Sequence, residues 1–150
     1  GSLLVKAPTL AKGYLSMDGF KPLPLSNGWF STSDVAMIDD DGSVSILGRI
    51  DYQFNSGSEL ISPEFVESIL LDSKLMDFVI VVPKSDDRFG YIPVAFITDQ
   101  STIDALIQFS EDHLPLFMRP KHWVLIPSAF DLYSKSLRKE CFDYVQGLKL

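Results

Sequence analysis

The chain of 150 residues is about one domain's worth, and 46% apolar with 12% aromatic residues is ample for a packed core. Its net charge of −7 argues against broad binding to nucleic acid or to an anionic membrane surface, which needs a basic footprint. No apolar run nears the roughly 18 residues of a membrane span, Gly1–Leu10 lacks the basic start and long apolar stretch of a signal peptide, and the single Cys141 excludes an internal disulfide and fits a reducing cytoplasm.

Taken in order, Leu3-Leu4-Val5 reads as a short strand closed by Pro8. Gly13-Tyr14-Leu15 followed by Asp18-Gly19 reads as a strand end and a turn. Pro22 and Pro24 disfavour helix, and Asn27-Gly28 is a strong hairpin signal with Trp29-Phe30 entering the next strand. Val35–Asp39 is apolar at both parities, which predicts a strand buried on both faces. Asp39-Asp40-Asp41-Gly42 then turns into Ser43–Leu47, an alternating strand. A calcium-loop reading of that acidic turn fails, because it would need an acid at Met37 and a Glu at Gly48.

The stretch Ile46–Glu67 reads as a domain junction: a strand end, Gly48-Arg49-Ile50-Asp51, a polar loop containing Gly57, and a helix start at Ser62-Pro63 with Ser62 as N-cap. Phe65, Val66, Ile69 and Leu70 share one helical face. Phe78–Val82 and Ile92–Thr98 are strands around a polar loop, Asp86–Gly90. Thr102–Leu114 is an amphipathic helix with Ile103, Leu106, Ile107 and Leu114 inward. Trp123–Ile126 is a third strand, and Leu137, Cys141, Tyr144, Val145 and Leu148 recur at the spacing of a final helix. The order α-β-β-α-β-α from Ser62 predicts a small sheet with helices on its faces.

Taken one at a time, the polar residues say little. Lys135 precedes a helix in a loop, within the basic run Lys135–Lys139; Arg49 follows Gly48; Asp34 follows Ser31-Thr32-Ser33. Each alone fits a solvated surface side chain. His113 and His122 have no partner at catalytic or metal spacing, and no Ser/His/Asp pattern emerges.

Their order is more specific. Gly13-Tyr14, Gly28–Asp34, Asp40-Asp41-Gly42, Gly48–Asp51, Asn55–Glu59, Pro63–Glu67, Asp87–Gly90 with Pro93-Val94-Ala95, and Ser134–Glu140 follow one another along nearly the whole chain. The series resembles the C-terminal third of the adenylate-forming enzymes, a family of acyl-CoA synthetases, peptide-synthetase adenylation domains and luciferases. Leu23-Pro24-Leu25, Phe54 and Pro120-Lys121-His122-Trp123 make it most similar, within the family, to the acid–CoA ligases of menaquinone synthesis.

The resemblance implies an α+β fold in two parts. Residues 1–50 would be the β-rich end of a large AMP-binding domain, and 51–150 the small mobile C-terminal domain with a hinge at Asp51. It implies a cytoplasmic ligase that joins a small carboxylic acid to AMP, with ATP and CoA as substrates and Mg2+ on the ATP phosphates held by no residue of this chain. By position, Asp34 would bind the ribose hydroxyls and Arg49 the nucleotide. Lys135 would reach the α-phosphate and the acid's carboxylate, and Ser56, Gly57, Ser58 and Glu59 would line the pantetheine channel.

The phosphate loop and the acid pocket of such enzymes lie in an upstream large domain, so these residues alone are expected to be inactive. Ser33, Ser58 and Ser134 stand where the family has Gly. Since Ser adopts positive φ poorly, these positions leave room for a non-catalytic module, and the motifs equally fit a ligase for another acid or for a carrier-protein thiol.

Overall fold

Two units divide the chain, Gly1–Asp51 and Tyr52–Leu150, in a computed structural model that describes all 150 residues. The first is built of strands: β1 (Ser2–Val5), β2 (Gly13–Ser16), β3 (Gly19–Pro22), β4 (Leu25–Ser26), β5 (Trp29–Ile38) and β6 (Val44–Arg49). β5 is the hub, pairing antiparallel with β1, β4 and β6, while β2 and β3 form a separate hairpin. Asn27 and Gly28, at φ 51° and 82°, give the β4–β5 turn the doubly left-handed backbone that matches strand twist. The acidic turn closes β5 on β6. Asp39 N–H donates to the Ser43 carbonyl at 2.9 Å, and Ser43 N–H donates to Asp41 Oδ1, which holds that carboxyl below its ordinary pKa.

The expectation that Val35–Asp39 is buried on both faces is not met: Met37 is 49% and Ile38 75% exposed. The first unit contains no α-helix to cover its sheet, and Gly48 is its only buried residue.

The second unit comprises β7 (Phe54–Ser56), β8 (Glu59–Ile61), α1 (Pro63–Asp72), β9 (Val79–Asp86), β10 (Gly90–Ile97), α2 (Ile103–His113), β11 (His122–Leu125) and α3 (Leu137–Gln146). β9 and β10 form an antiparallel hairpin. β10 and β11 run parallel, which requires the crossover that α2 supplies. Pro93 precedes the first β10–β11 pair, Val94 with His122, so its missing N–H leaves that ladder intact.

Side chains alternate across the sheet. Val79, Val81, Ala95 and Ile97 join Val66 and Leu70 of α1, Leu106 of α2, and Phe54 and Ile61 of the β7–β8 hairpin. Val82, Val94 and Phe96 join Leu137, Cys141 and Val145 of α3 on the opposite face. Both faces are therefore covered, which is why β9 and β10 read as continuous apolar runs rather than alternating ones.

β9 is an edge strand, and side chains satisfy its outward backbone. Val81 N–H donates to Glu67 Oε1 at 2.7 Å and Val81 C=O accepts from Arg138 at 2.8 Å. Gln146 donates to the Pro83 carbonyl and accepts from Ser85 N–H. Such pairing removes an edge that could otherwise template aggregation.

Local details depart from the sequence reading. Phe54–Ser56 and Glu59–Ile61 pair as a hairpin where a polar loop is expected. Ser62 holds the N-cap position of α1 without a side-chain capping bond. Phe65 and Ile107 are 43% and 39% exposed, and the inward stripe of α1 runs through Pro63, Val66, Glu67 and Leu70.

Candidate active site

Three groups carry polar chemistry. In the first unit, Asp34 on β5 lies opposite Arg49 on β6 in the strand register. Arg49 donates to Asp34 Oδ1 at 3.3 Å and to Asp51 Oδ2 at 2.7 Å, so one guanidinium gathers both carboxylates. Asp51 stands in a single 3₁₀ turn, Ile50–Tyr52, that follows β6 directly. Gly48, buried at φ 140°, carries β6 past a register shift and sets the direction in which Arg49 leaves the strand.

All three side chains are partly exposed, so these ion pairs add little stability, of the order of 0–1 kcal/mol each. Their value is geometric: an acceptor-only carboxylate at Asp34, held beside a fixed cation, can receive two hydroxyl donors. Thr32 Oγ1 accepts the Asp34 N–H at 3.2 Å. Ser33 between them has φ 63°, the left-handed conformation that glycine favours.

In the second unit, the tip of the β7–β8 hairpin forms one wall of a groove of about 400 Å3. Ser56, Gly57, Ser58 and Glu59 face Phe89, Leu116, Phe117 and Lys121 across it. Gly57, at φ 62°, donates its N–H to the Phe89 carbonyl at 2.8 Å, which ties the hairpin tip to the β9–β10 turn. Asp86 anchors that turn by accepting from the N–H groups of Arg88 and Phe89. Lys121 Nζ donates to the Leu116 carbonyl at 2.9 Å. Ser58 does not have positive φ, so a serine there costs no backbone strain, contrary to the expectation raised by the family's glycine. The residues that sequence reasoning missed are Leu116, Phe117 and Lys121; the Pro120-Lys121 step was visible, but nothing local tied it to Gly57.

Lys135 is exposed and makes no hydrogen bond or ion pair. The loop under it is well tied: Ser134 N–H donates to the Asp131 carbonyl, Ser136 N–H to Ser134 Oγ, and Leu137 N–H to the Ser134 carbonyl. Ser134 also lacks positive φ. The run Lys135–Lys139 is not a basic patch. Arg138 turns inward onto Glu67 and Lys139 pairs with Asp143, so only Lys135 is free to reach a ligand. Lys135 is not part of the groove lining.

No group of three or more His, Cys, Asp or Glu side chains is placed to hold a metal ion, and no helix is long and apolar enough to cross a membrane.

These features define a small α+β unit joined to the end of a β-sheet unit, a fold that the chain shares with acid–CoA ligases of known structure. E. coli MenE with bound OSB-AMS, a point variant, superposes at a TM-score of 0.82 with 30% identity, over 98% of this chain and 31% of that one. A crystal structure of an anthranilate CoA ligase gives a TM-score of 0.75 at 20% identity, a likeness of fold.

Curated relatives narrow the relationship. The 2-succinylbenzoate–CoA ligase of Bacillus cereus is 30% identical over 99% of this chain and 31% of its own length. That of Salmonella typhimurium is 35% identical over 83% of this chain and 28% of its own. The chain is homologous to 2-succinylbenzoate–CoA ligases, and it spans about a third of the length of the curated relatives it matches. No family model matches it.

Proposed function

We propose that this chain is the C-terminal third of a cytoplasmic, ATP-dependent acid–CoA ligase whose acid is o-succinylbenzoate, in menaquinone synthesis. The observation that carries the reading is homology to ligases of that name along nearly the whole chain. Residues 1–50 end the large AMP-binding domain, and 51–150 are the small domain that turns about Asp51.

In the first step a carboxylate oxygen of the acid attacks the α-phosphorus of ATP. The bond to the β-phosphate breaks, and pyrophosphate leaves. Lys135, exposed on a tied loop, offers a mobile cation to the charge that builds on the transferring group. Asp34 receives the ribose hydroxyls and Arg49 orders the nucleotide side. In the second step the CoA thiol, losing its proton, attacks the acyl carbonyl and AMP leaves. The groove below Gly57 suits the pantetheine arm: apolar walls at Phe89, Leu116 and Phe117 fit a thin chain, and Ser56 and Ser58 offer hydroxyls to its amides.

The serines that stand for family glycines do not weaken this. Ser33 adopts the positive φ itself, and Ser58 and Ser134 do not need it.

The test uses the full-length protein that contains this chain. Lys135→Ala should slow acid-dependent ATP–pyrophosphate exchange by roughly 10²–10³, the usual value of one electrostatic donor. The melting temperature should hold, since Lys135 is exposed and unpaired. Exchange at the unchanged rate would remove Lys135 from the chemistry.

A further inference from the structure

Glu67 and Arg138 are the least exposed ion pair in the protein, with side chains 11% and 21% exposed, and the proposed chemistry does not use them. Arg138 grips both carboxylate oxygens of Glu67, at 2.8 and 2.9 Å, a two-armed arrangement with strong directional preference. Glu67 belongs to α1 and Arg138 to the first turn of α3, helices that cover opposite faces of the sheet. The pair reaches around the β9 edge between them and takes both outward groups of Val81, its N–H through Glu67 and its C=O through Arg138. The guanidinium also lies over the ring of Tyr52, 4.9 Å from its centroid. Tyr52 is the first residue of the second unit, next to Asp51. Arg138 is three residues beyond Lys135.

Attraction between the two charges alone does not account for this pair. Removing two charges from water costs several kcal/mol per ion, and well-packed apolar replacements of buried pairs are often neutral or stabilising. Burial opposes the Arg138 charge, while the Glu67 hydrogen bonds and charge, together with the electrostatic effect of Glu64 and Tyr52, more than offset that and raise its pKa.

We propose that Glu67, Arg138 and Tyr52 form a positioning clamp that fixes the start of α3, and with it the Lys135 loop, relative to the β9 edge and to Tyr52, the first residue of the second unit. The clamp locks α3 against α1 in translation along the β9 edge. Ser134, Ser136 and Leu137 pass the fixed position back to Lys135 through the hydrogen bonds of their N–H groups. Through Tyr52 the same guanidinium ties the first residue of the second unit to the base of the Lys135 loop. The geometric claim stands on its own; its consequence for catalysis rests on the ligase reading.

The experiment replaces the pair by apolar residues of similar volume, Glu67→Leu with Arg138→Met, in the whole 150-residue chain, and follows melting and amide hydrogen exchange. A clamp predicts exchange at Ser134, Ser136 and Leu137 faster by about 10-fold or more, a local opening, while Leu106 and Phe96 amides keep their protection; the melting temperature falls modestly, because the Val81 N–H and C=O lose their side-chain partners. Unaltered exchange at those three amides overturns the proposal, and so does a fall in melting temperature with uniformly faster exchange, the mark of a purely structural pair. Should the double variant not fold, Arg138→Lys keeps the charge and loses the two-armed grip, and it must show the same local loosening or the proposal fails. In the full-length protein the same variants should slow acyl-AMP formation. A wild-type protein that makes no acyl-AMP would refute the ligase reading and leave the exchange result to decide the clamp.

Discussion

Replacing Gly57 by Ala tests how the groove is built. The residue turns the β7–β8 hairpin at φ 62°, and a Cβ there would meet Phe89 Cδ1 at 3.7 Å, ordinary contact. Space is therefore not the obstacle, and the cost is that of the backbone. A residue with a Cβ in the left-handed region is disfavoured by about 1–2 kcal/mol, and the freedom Ala removes from the unfolded chain returns about 0.4–1 kcal/mol. Gly57→Ala should thus destabilise the second unit by about 1 kcal/mol, and Gly57→Asn by less, because Asn tolerates this conformation. Ser58→Gly should also destabilise, by about 0.5–1 kcal/mol, since it adds chain freedom where no positive φ calls for it. Urea unfolding read by Trp123 fluorescence, in a Trp29→Phe background, isolates the second unit. Ala equal to Gly at position 57, or Ser58→Gly more stable than Ser58, would refute this account of the hairpin tip.

Three further outcomes follow from other sites. Burial first, then the Glu140 charge, pushes the Cys141 thiol from 9.0 up to about 11, with Arg138 partly opposing. The folded state therefore holds its proton more tightly than the unfolded one; that contribution, on the order of 2–3 kcal/mol, is whole below pH 9 and is lost as pH rises toward 11, so Cys141→Ala should flatten the melting profile over that window. Ser33→Gly should be neutral to stabilising by roughly 0.5–1 kcal/mol, since relief at φ 63° exceeds the entropy Gly adds; a loss of stability on thermal melting would contradict it. In the full-length protein, Asp51→Pro should restrict rotation and slow thioester formation much more than acyl-AMP formation, and equal losses would remove Asp51 as the hinge.

What could be read from the sequence depended on whether the signal was local. α1, α2 and α3 and the three strands of the second sheet follow from apolar spacing, because their partners are continuous stripes. The β7–β8 hairpin was hidden: Asn55, Ser56, Ser58 and Glu59 look like loop, and only Phe54 and Ile61 enter the core. Glu67 was passed over because a glutamate is seldom buried without a partner, and its partner lies 71 residues away. Met37 and Ile38 were misplaced because apolar strand residues predict burial without saying what covers them. Within the candidate site, Asp34, Arg49 and Asp51 could each be picked from motif order, but that Arg49 reaches Asp34 as well as its neighbour Asp51 is a fact of β5–β6 register. The far wall of the groove, at Leu116, Phe117 and Lys121, comes from chain that returns only after α2.

The most direct test of the central claim supplies the full-length protein with o-succinylbenzoate, ATP, Mg2+ and CoA and follows the products. The account predicts one acyl-CoA thioester, one AMP and one pyrophosphate per turnover, with pyrophosphate exchange that needs the acid but not CoA. Phosphate and ADP as products, or AMP formation without any thioester, would contradict it.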